Sequence, residues 1–290
     1  MAGASCRTGV VLIGIAPHRL WPDRSSDLEN AVAIAQAAER LGFDHVIAGS
    51  HLLRTGLGVT LDPIVLLSAV AGATARIRIA TSVLITPLYH PVILAHQTAS
   101  LDLLSGGRLI LGLGTGWDPD EFAAAGAAFG QRGRQTDESL AMIKALWRDE
   151  ATGIRIGVTP FTPGGPPVWV GGTSDAALRR ALCFGDGWHG AGDATAIAQI
   201  RGRIASLAPG TGRDQATLAL TSVAFLVPPG FRQLGDLPGA ALGGAHPTAA
   251  SVREELALLE EAGVTSCSLW LPVAAEALPD ALAWIAAEVM

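Results

Sequence analysis

The sequence contains little cysteine, few aromatic residues and no long apolar run. Its three cysteines, Cys6, Cys183 and Cys267, are an odd number without a short pairing spacing, which argues against a disulfide framework or a zinc site and predicts buried, reduced thiols. Hydrophobic residues make up 49% of the chain, yet no run approaches the roughly 18 residues of a membrane span. Met1–Thr8 lacks a basic segment followed by an apolar one, so no signal peptide is indicated. We therefore expect a soluble, cytoplasmic protein without a membrane partner.

Positive charge is also scarce and scattered. The formal net charge is -6, and Lys144 is the sole lysine. No basic stripe is available for a polyanion, so we expect no nucleic-acid partner.

What the chain has is one repeated pattern: an apolar strand, a polar turn, an Ala- and Leu-rich helix and a glycine. The predicted strands are Val10–Ala16, His45–Ala48, Ile77–Ile85, Leu109–Leu113, Val168–Val170, Gly187–Ala191, Leu218–Val227 and Thr265–Leu271. The predicted helices are Leu28–Leu41, Asp62–Ala73, Pro91–Leu104, Gln135–Arg148, Asp175–Phe184, Ala194–Leu207, Ala249–Ala262 and Leu278–Val289.

Eight such units favour an α/β fold in which a parallel sheet closes into a single (β/α)8 TIM barrel. The length of 290 residues suits one barrel domain, which needs about 250 residues before insertions. We expect one domain over residues 1–290, with a short hairpin or loop inserted at about 153–167. A doubly wound open sheet is the alternative.

In a barrel of this kind, chemistry takes place at the carboxyl ends of the strands. Four of the seven tryptophans fall at or near these ends and suit a site that holds a flat ring. With two neighbours, they form the predicted substrate pocket: Trp21, Tyr89, Trp117, Trp188, His189 and Trp270. For Trp188 and Trp270 the alternative is that a bulky side chain simply fills the barrel.

His51 is the predicted catalytic acid or base, because it directly follows a strand and histidine is the side-chain type whose unperturbed pKa lies near neutrality. The alternative is a histidine that caps its own loop. The loop Gly171, Gly172, Thr173 and Ser174 precedes a helix, and its free N–H groups predict a phosphate site there. The same pattern fits a plain helix N-cap at Ser174.

Residues Ile79–Phe122 read IATSVLITPLYHPVILAHQTASLDLLSGGRLILGLGTGWDPDEF. This stretch resembles the luciferase-like monooxygenase superfamily nearly without interruption. The resemblance implies a barrel of the bacterial luciferase type and a flavin-type cofactor bound beside a cis peptide bond at Ser82-Val83. The cofactor-binding residues predicted at this rim are Ser50, Ser82, Val83, Thr86, Gly114, Thr115 and Gly116, in addition to the loop at 171–174.

Within that superfamily, the GTGW and DGWH segments look most like the branch that uses coenzyme F420, a deazaflavin. Members of this branch often carry an Asp-His pair where this chain has Ser50-His51, so the carboxylate beside the histidine is missing. Sugar-phosphate dehydrogenases of the branch have a glutamate where this chain has Trp117, which argues against a sugar-phosphate substrate. The resemblance implies an F420-dependent oxidoreductase. Trp117 and the single lysine favour a small apolar substrate, of which unsaturated and aromatic molecules are examples.

Two alternatives stay open. One is an FMN-dependent, two-component monooxygenase of the same fold, because FMN activates oxygen and a deazaflavin does not. The other is a protein that binds the ring without catalysing a reaction.

The helices at 62–73 and 91–104 are apolar around most of their circumference, and superfamily members commonly dimerise through these helices. We therefore expect a homodimer.

Overall fold

Parallel strands form one closed sheet in the part of the chain that the computed structural model describes, residues 11–54, 58–150 and 153–290. The strands are β1 (Leu12–Ile15), β2 (His45–Ala48), β3 (Arg78–Thr81), β4 (Leu84–Ile85), β5 (Leu109–Gly114), β6 (Val168–Gly171), β7 (Gly187–Ala191), β8 (Ala219–Phe225) and β9 (Val264–Trp270). Neighbours pair in the order β3-β2-β1-β9-β8-β7-β6-β5-β4, and β3 also pairs with β5. That last pairing closes the sheet into a barrel.

Most of the helices pack on the outer side of the sheet. The described helices are α1 (Ala31–Leu41), α2 (Pro63–Ala73), α3 (Pro91–Ser105), α4 (Pro119–Ala124), α5 (Arg132–Trp147), α6 (Asp175–Phe184), α7 (Ala194–Leu207), α8 (Ala249–Glu261) and α9 (Leu278–Glu288). None of the helices in the described ranges is both long enough and apolar enough to cross a membrane.

The predicted (β/α)8 TIM barrel is confirmed, with three local differences. The third predicted strand is divided into β3 and β4 at Ser82-Val83. The short helix α4 follows β5 and was not predicted. Residues 153–167 form turns and bends without a strand, so the insertion is a loop rather than a hairpin. Val10 and Met1–Thr8 lie outside the described residues.

Helix ends follow local chemistry. Asp62 accepts the Val65 N–H at 3.0 Å and caps α2, whose first residue is Pro63. The chain leaves α3 at Gly106, whose φ of 67° is the left-handed conformation that glycine adopts most readily. These signals explain why the helix positions could be predicted from the sequence.

The barrel has two apolar layers. The larger lies between the sheet and the helices and includes Trp188, which is fully buried. The smaller fills the barrel interior with Ala16, Ile47, Ala80, Ile110 and Trp169, and Trp270 packs on it. Buried polar rings lie in the interior as well, which makes it less apolar than the outer layer.

One of these rings is His45, near the amino-terminal end of the barrel. Its Nδ1 is 2.9 Å from Asp44 Oδ2, and its Nε2 is 2.7 Å from Ser268 Oγ. A Cβ on Gly14 would lie 2.0 Å from this ring, so glycine is required beside it. Burial is the main cause that lowers the His45 pKa, against the opposing effect of Asp44.

The thiols differ from expectation in one case. Cys267 is free and buried, as predicted, and burial raises its pKa to about 11. Cys183 is free but exposed, because it lies on the outer face of α6. Cys6 lies outside the described residues.

Candidate active site

A cavity of about 490 Å³ opens at the carboxyl ends of the barrel strands. This volume lies in the range of about 300–1,000 Å³ that is usual for small-molecule sites. The predicted residues that line it are Trp21, Ser50, His51, Ser82, Val83, Gly114, Thr115, Gly116, Trp117, Gly171, Gly172, His189 and Trp270. The structure therefore brings most of the predicted site together in one place.

Three predicted cofactor contacts do not line the cavity. Thr86 is fully buried in the 3-10 turn that directly follows β4. Thr173 and Ser174 are exposed outside the cavity. The Ser174 hydroxyl accepts the Ala177 N–H at 3.2 Å, so it acts as the N-cap of α6, which was the alternative interpretation.

Two predicted pocket residues are also placed elsewhere. The prediction for Trp188 was wrong: it packs between the sheet and the helices, and its Nε1 donates to Gly172 O at 2.8 Å. Tyr89 does not line the cavity: its hydroxyl donates to Asp62 Oδ2 at 3.2 Å and also contacts the side chain of Ser50, which does line it. Burial and the Asp62 charge raise the Tyr89 pKa to about 12, which makes this phenol a poor proton donor at neutral pH.

Sequence reasoning did not assign ten further lining residues: His18, Leu20, Pro22, Gly49, Thr60, Ile85, Gly190, Ala191, Val223 and Phe225. Val223 and Phe225 follow Thr221 at spacings of two, which places all three on the inner face of β8. This period-two spacing is the signal that could have identified them.

The Val83 side chain occupies a space bounded by glycines. The Ser82-Val83 peptide bond is cis, as predicted. A Cβ on Gly114 would lie 2.6 Å from Val83 Cγ2, and one on Gly171 would lie 3.2 Å from Val83 Cγ1. Glycines at these positions therefore leave room for the valine, and Val83 provides an apolar surface inside the cavity.

His51 has a buried carboxylate partner that its own loop does not supply. Its Nδ1 lies 3.3 Å from both carboxylate oxygens of Glu121, which is fully buried. Glu121 Oε1 also accepts the Leu52 N–H at 2.5 Å. The expectation that this histidine lacks a carboxylate because residue 50 is serine was wrong, since Glu121 of α4 provides one through space.

His18 is a second histidine at the cavity, and it is 3% exposed. Its Nδ1 lies 3.0 Å from Arg19 O, and a carbonyl only accepts, so Nδ1 carries the proton and Nε2 is unprotonated. Burial is the main cause that lowers the His18 pKa, which keeps the ring neutral. His18 can thus accept a hydrogen bond from a ligand.

His189 is the third histidine that lines the cavity, and it is 3% exposed. Its Nε2 is 2.8 Å from Ser82 Oγ, and its Nδ1 is 2.7 Å from Thr221 Oγ1. The ring stacks on Trp169 with centroids 5.0 Å apart. Burial is the main cause that lowers its pKa to about 3, so the ring is neutral at neutral pH.

Aromatic side chains form much of the remaining wall. Trp117 packs edge-on against His51 with centroids 5.7 Å apart, and Trp270 packs against His18 at 5.2 Å. Trp21 has a φ of 53°, and its Nε1 donates to Asp236 O at 3.1 Å. That bond connects the loop after β1 to the long loop after β8 at the cavity mouth.

A flat flavin-type ring fits the residues present. Val83 offers an apolar surface, the exposed backbone of Gly172 allows close approach, and Ser82 and Thr115 supply hydroxyl groups. Across residues 11–54, 58–150 and 153–290, no cluster of three or more His, Cys, Asp or Glu side chains could hold a metal ion.

Comparison with known proteins gives relatives of two kinds. The chain is 33% identical over 216 residues to the F420-dependent hydroxymycolic acid dehydrogenase of Mycobacterium tuberculosis, a match that covers 69% of this chain and 59% of that protein. It is 32% identical over 129 residues to the 4-hydroxyprotoasukamycin monooxygenase of Streptomyces nodosus subsp. asukaensis, covering 44% of this chain and 34% of that protein. The chain thus spans about three fifths or less of these relatives.

Solved structures share the fold. An F420-dependent secondary alcohol dehydrogenase, in complex with an F420-acetone adduct, superposes with a TM-score of 0.79 at 18% identity, covering 97% of this chain and 100% of that one. A monooxygenase from Streptomyces bottropensis gives a TM-score of 0.77 at 20% identity, covering 96% and 98%. The family model for luciferase-like monooxygenases matches residues 11–228. The chain therefore belongs to the luciferase-like monooxygenase family.

Proposed function

We propose that the protein is an F420-dependent oxidoreductase that transfers a hydride between the deazaflavin and a small apolar substrate. The observation that carries this proposal is one cavity lined by both Val83 and His51, with the His51 ring held from behind by the buried carboxylate of Glu121. The F420-dependent relative at 33% identity supports the choice of cofactor. The tryptophan-rich wall supports an apolar substrate, either unsaturated or aromatic.

Several residues would hold the cofactor. Val83 would support the ring, while Ser82, Thr115 and the backbone at Gly171 and Gly172 would provide its polar contacts. The bound deazaflavin would supply a ring carbon that accepts or releases hydride. The chain itself must therefore orient the substrate, exclude water and move one proton.

His51 is the residue we assign to the proton. Glu121 accepts from Nδ1, so Nε2 is the nitrogen left to give or take a proton at the cavity. When the ring gains a proton, the buried carboxylate balances its charge, as in other carboxylate–histidine pairs. This arrangement favours catalysis over the alternative of a protein that only binds the ring.

His18 would position the substrate. Its unprotonated Nε2 accepts a hydrogen bond, so it suits a hydroxyl group on an otherwise apolar molecule. A substrate alcohol could therefore be oriented by His18 while His51 exchanges the proton.

The second candidate is an FMN-dependent monooxygenase, favoured by the monooxygenase relative at 32% identity. Fluorescence titration of the purified protein with F420 and with FMN distinguishes the two. We expect tighter binding of F420, whereas comparable or tighter binding of FMN would contradict the deazaflavin assignment. Val83→Trp, which fills the ring surface, should abolish binding, and Leu258→Ala on the exposed face of α8 should not.

Turnover is tested by the oxidation of reduced F420 with cyclohexenone as a probe substrate. Consumption of the reduced cofactor that depends on both protein and enone supports a reductase. Tight binding of F420 without hydride transfer in either direction, neither from reduced F420 to an enone or ketone nor from an alcohol to oxidised F420, would favour a carrier.

A further inference from the structure

Ser82, His189 and Thr221 form a chain of hydrogen bonds that begins at the cavity and ends in the sheet. Ser82 Oγ lies 2.8 Å from His189 Nε2, and His189 Nδ1 lies 2.7 Å from Thr221 Oγ1. Thr221 Oγ1 in turn lies 2.9 Å from the carbonyl oxygen of Trp188. Thr221 and His189 are 2% and 3% exposed, so water does not compete for the bond between them or for the bond from Thr221 to Trp188.

The direction of each bond follows from counting protons. The Trp188 carbonyl only accepts, so the one hydroxyl proton of Thr221 points to it. Thr221 Oγ1 must then accept from His189, which places the proton of the neutral ring on Nδ1. His189 Nε2 therefore accepts, and the proton of Ser82 Oγ points to it. All three bonds are satisfied in this arrangement.

The reverse arrangement makes one bond fewer. If His189 carried its proton on Nε2, Thr221 would have to donate to Nδ1 and would lose its bond to the Trp188 carbonyl. Hydrogen bonds in a buried, low-dielectric site are favourable and reinforce one another along a chain. The structure therefore supports the arrangement with three bonds.

The Ser82 hydroxyl has no proton left for the cavity that it lines. We propose that Ser82 Oγ is an acceptor subsite that binds an N–H donor of the ring lying on Val83. His189 and Thr221 act as positioning residues that set the polarity of this hydroxyl. That the bound ring is a flavin or a deazaflavin rests on the proposed function. Both rings carry an N–H group on the pyrimidine ring, and either could therefore donate to Ser82 Oγ.

The donor and acceptor directions in this series of hydrogen bonds can be tested without any ligand. Two-bond nitrogen–proton NMR correlations at neutral pH should show His189 protonated on Nδ1 and not on Nε2, with His189→Gln identifying the signals. Thr221→Val removes the acceptor and should move the proton to Nε2. Thr81→Val is the matched control, because the Thr81 hydroxyl donates to Gly112 O at 2.6 Å and takes no part in the hydrogen bonds of Ser82, His189 and Thr221. A wild-type ring protonated on Nε2 would overturn the proposal.

The subsite is tested with lumiflavin and with lumiflavin methylated at the pyrimidine N–H. Wild type should bind the unmethylated ring about two- to tenfold more tightly, the range expected for one neutral hydrogen bond. Ser82→Ala should lose this preference, and Thr221→Val should reduce it while leaving Ser82 in place. A preference that is unchanged in both variants would overturn the subsite. If wild type binds neither ring, the proposed function and the proposal that such a ring occupies this subsite are both contradicted. The NMR result would still decide whether the Ser82 hydroxyl donates to His189.

Discussion

Nδ1 of His51 lies 3.3 Å from each carboxylate oxygen of Glu121, across 70 residues of sequence. The carboxylate is fully buried, and the N–H groups of Leu52 and Leu53 also donate to it. Glu121 thus fixes both the histidine ring and the loop that carries it. This relationship supports the proposal that His51 moves the proton at the cavity.

His51→Ala should lower turnover at least about a hundredfold, in line with the usual contribution of a general acid or base. Cofactor affinity should stay nearly unchanged, because in the proposed arrangement Val83, and not His51, supports the cofactor ring. Steady-state kinetics and fluorescence titration measure the two effects separately. The exposed His90→Ala is the control. Normal turnover, or a loss explained by failed cofactor binding, would assign His51 a structural role.

Glu121→Gln tests the partner. The glutamine amide can still accept from Leu52 but has one acceptor oxygen instead of two and no charge. Turnover should fall to a value between wild type and His51→Ala. The free energy of unfolding should fall by about 1–3 kcal/mol, because a buried charged acceptor is removed. Urea denaturation measures the stability, and an unchanged turnover would show that His51 works without its carboxylate.

The barrel could be predicted because its signals are local. Helix caps, glycines after helices and short apolar strands each act within a few residues, and they recur along the chain. The partnership of His51 with Glu121 could not be predicted in this way. It depends on α4, a six-residue helix whose apolar spacing is too short to recognise, and on the packing of two separate loops.

The error at Trp188 has a different origin. Trp188 and His189 are adjacent in β7, and adjacent residues in a strand point to opposite faces. Both were predicted to line the cavity, but the two side chains point to opposite faces of β7, and only that of His189 faces the barrel interior. The glycines show what the sequence could not reveal. Gly114 and Gly171 line the cavity as predicted, but their short distances to Val83 depend on how β4, β5 and β6 pair in the sheet.

Gly114→Ala should distort the cavity, since the added Cβ would lie 2.6 Å from Val83 Cγ2. Overpacking of this kind costs about 1–3 kcal/mol, and ring binding should weaken with it. The double variant Gly114→Ala, Val83→Ala should recover much of the stability in urea denaturation. Gly202→Ala in α7 is the control, because nothing lies within 4 Å of its added Cβ. Equal effects of the single and double variants would refute the contact.

Acid should destabilise the fold through buried neutral histidines. The His189 pKa is lowered from 6.5 to about 3 in the folded protein, so the unfolded state binds a proton between these values and the folded state does not. Stability is thus full above pH 6.5 and declines as the pH falls towards 3, with a slope approaching about 1.4 kcal/mol per pH unit for this group. Burial lowers the pKa of His18 and of His45 in the same direction.

The measurement is the free energy of unfolding from urea titrations at several pH values in that window. His189→Gln should reduce the slope, whatever its effect on stability at neutral pH. The exposed His96→Gln should leave the slope as in wild type. An identical slope in His189→Gln and wild type would show that His189 does not contribute to acid destabilisation.

The last prediction is that the protein forms a homodimer through α2 and α3. These helices pack together and leave large apolar side chains in solvent, among them Val65 at 68%, Ile93 at 57% and Leu104 at 80% exposure. Exposed apolar side chains on two adjacent helices are typical of a surface that another protein covers. Light scattering should give about twice the monomer mass of 29.8 kDa. Leu104→Glu together with Ile93→Glu should yield monomers, whereas Leu258→Glu on α8 should not. A monomeric wild type at micromolar concentration would contradict the prediction.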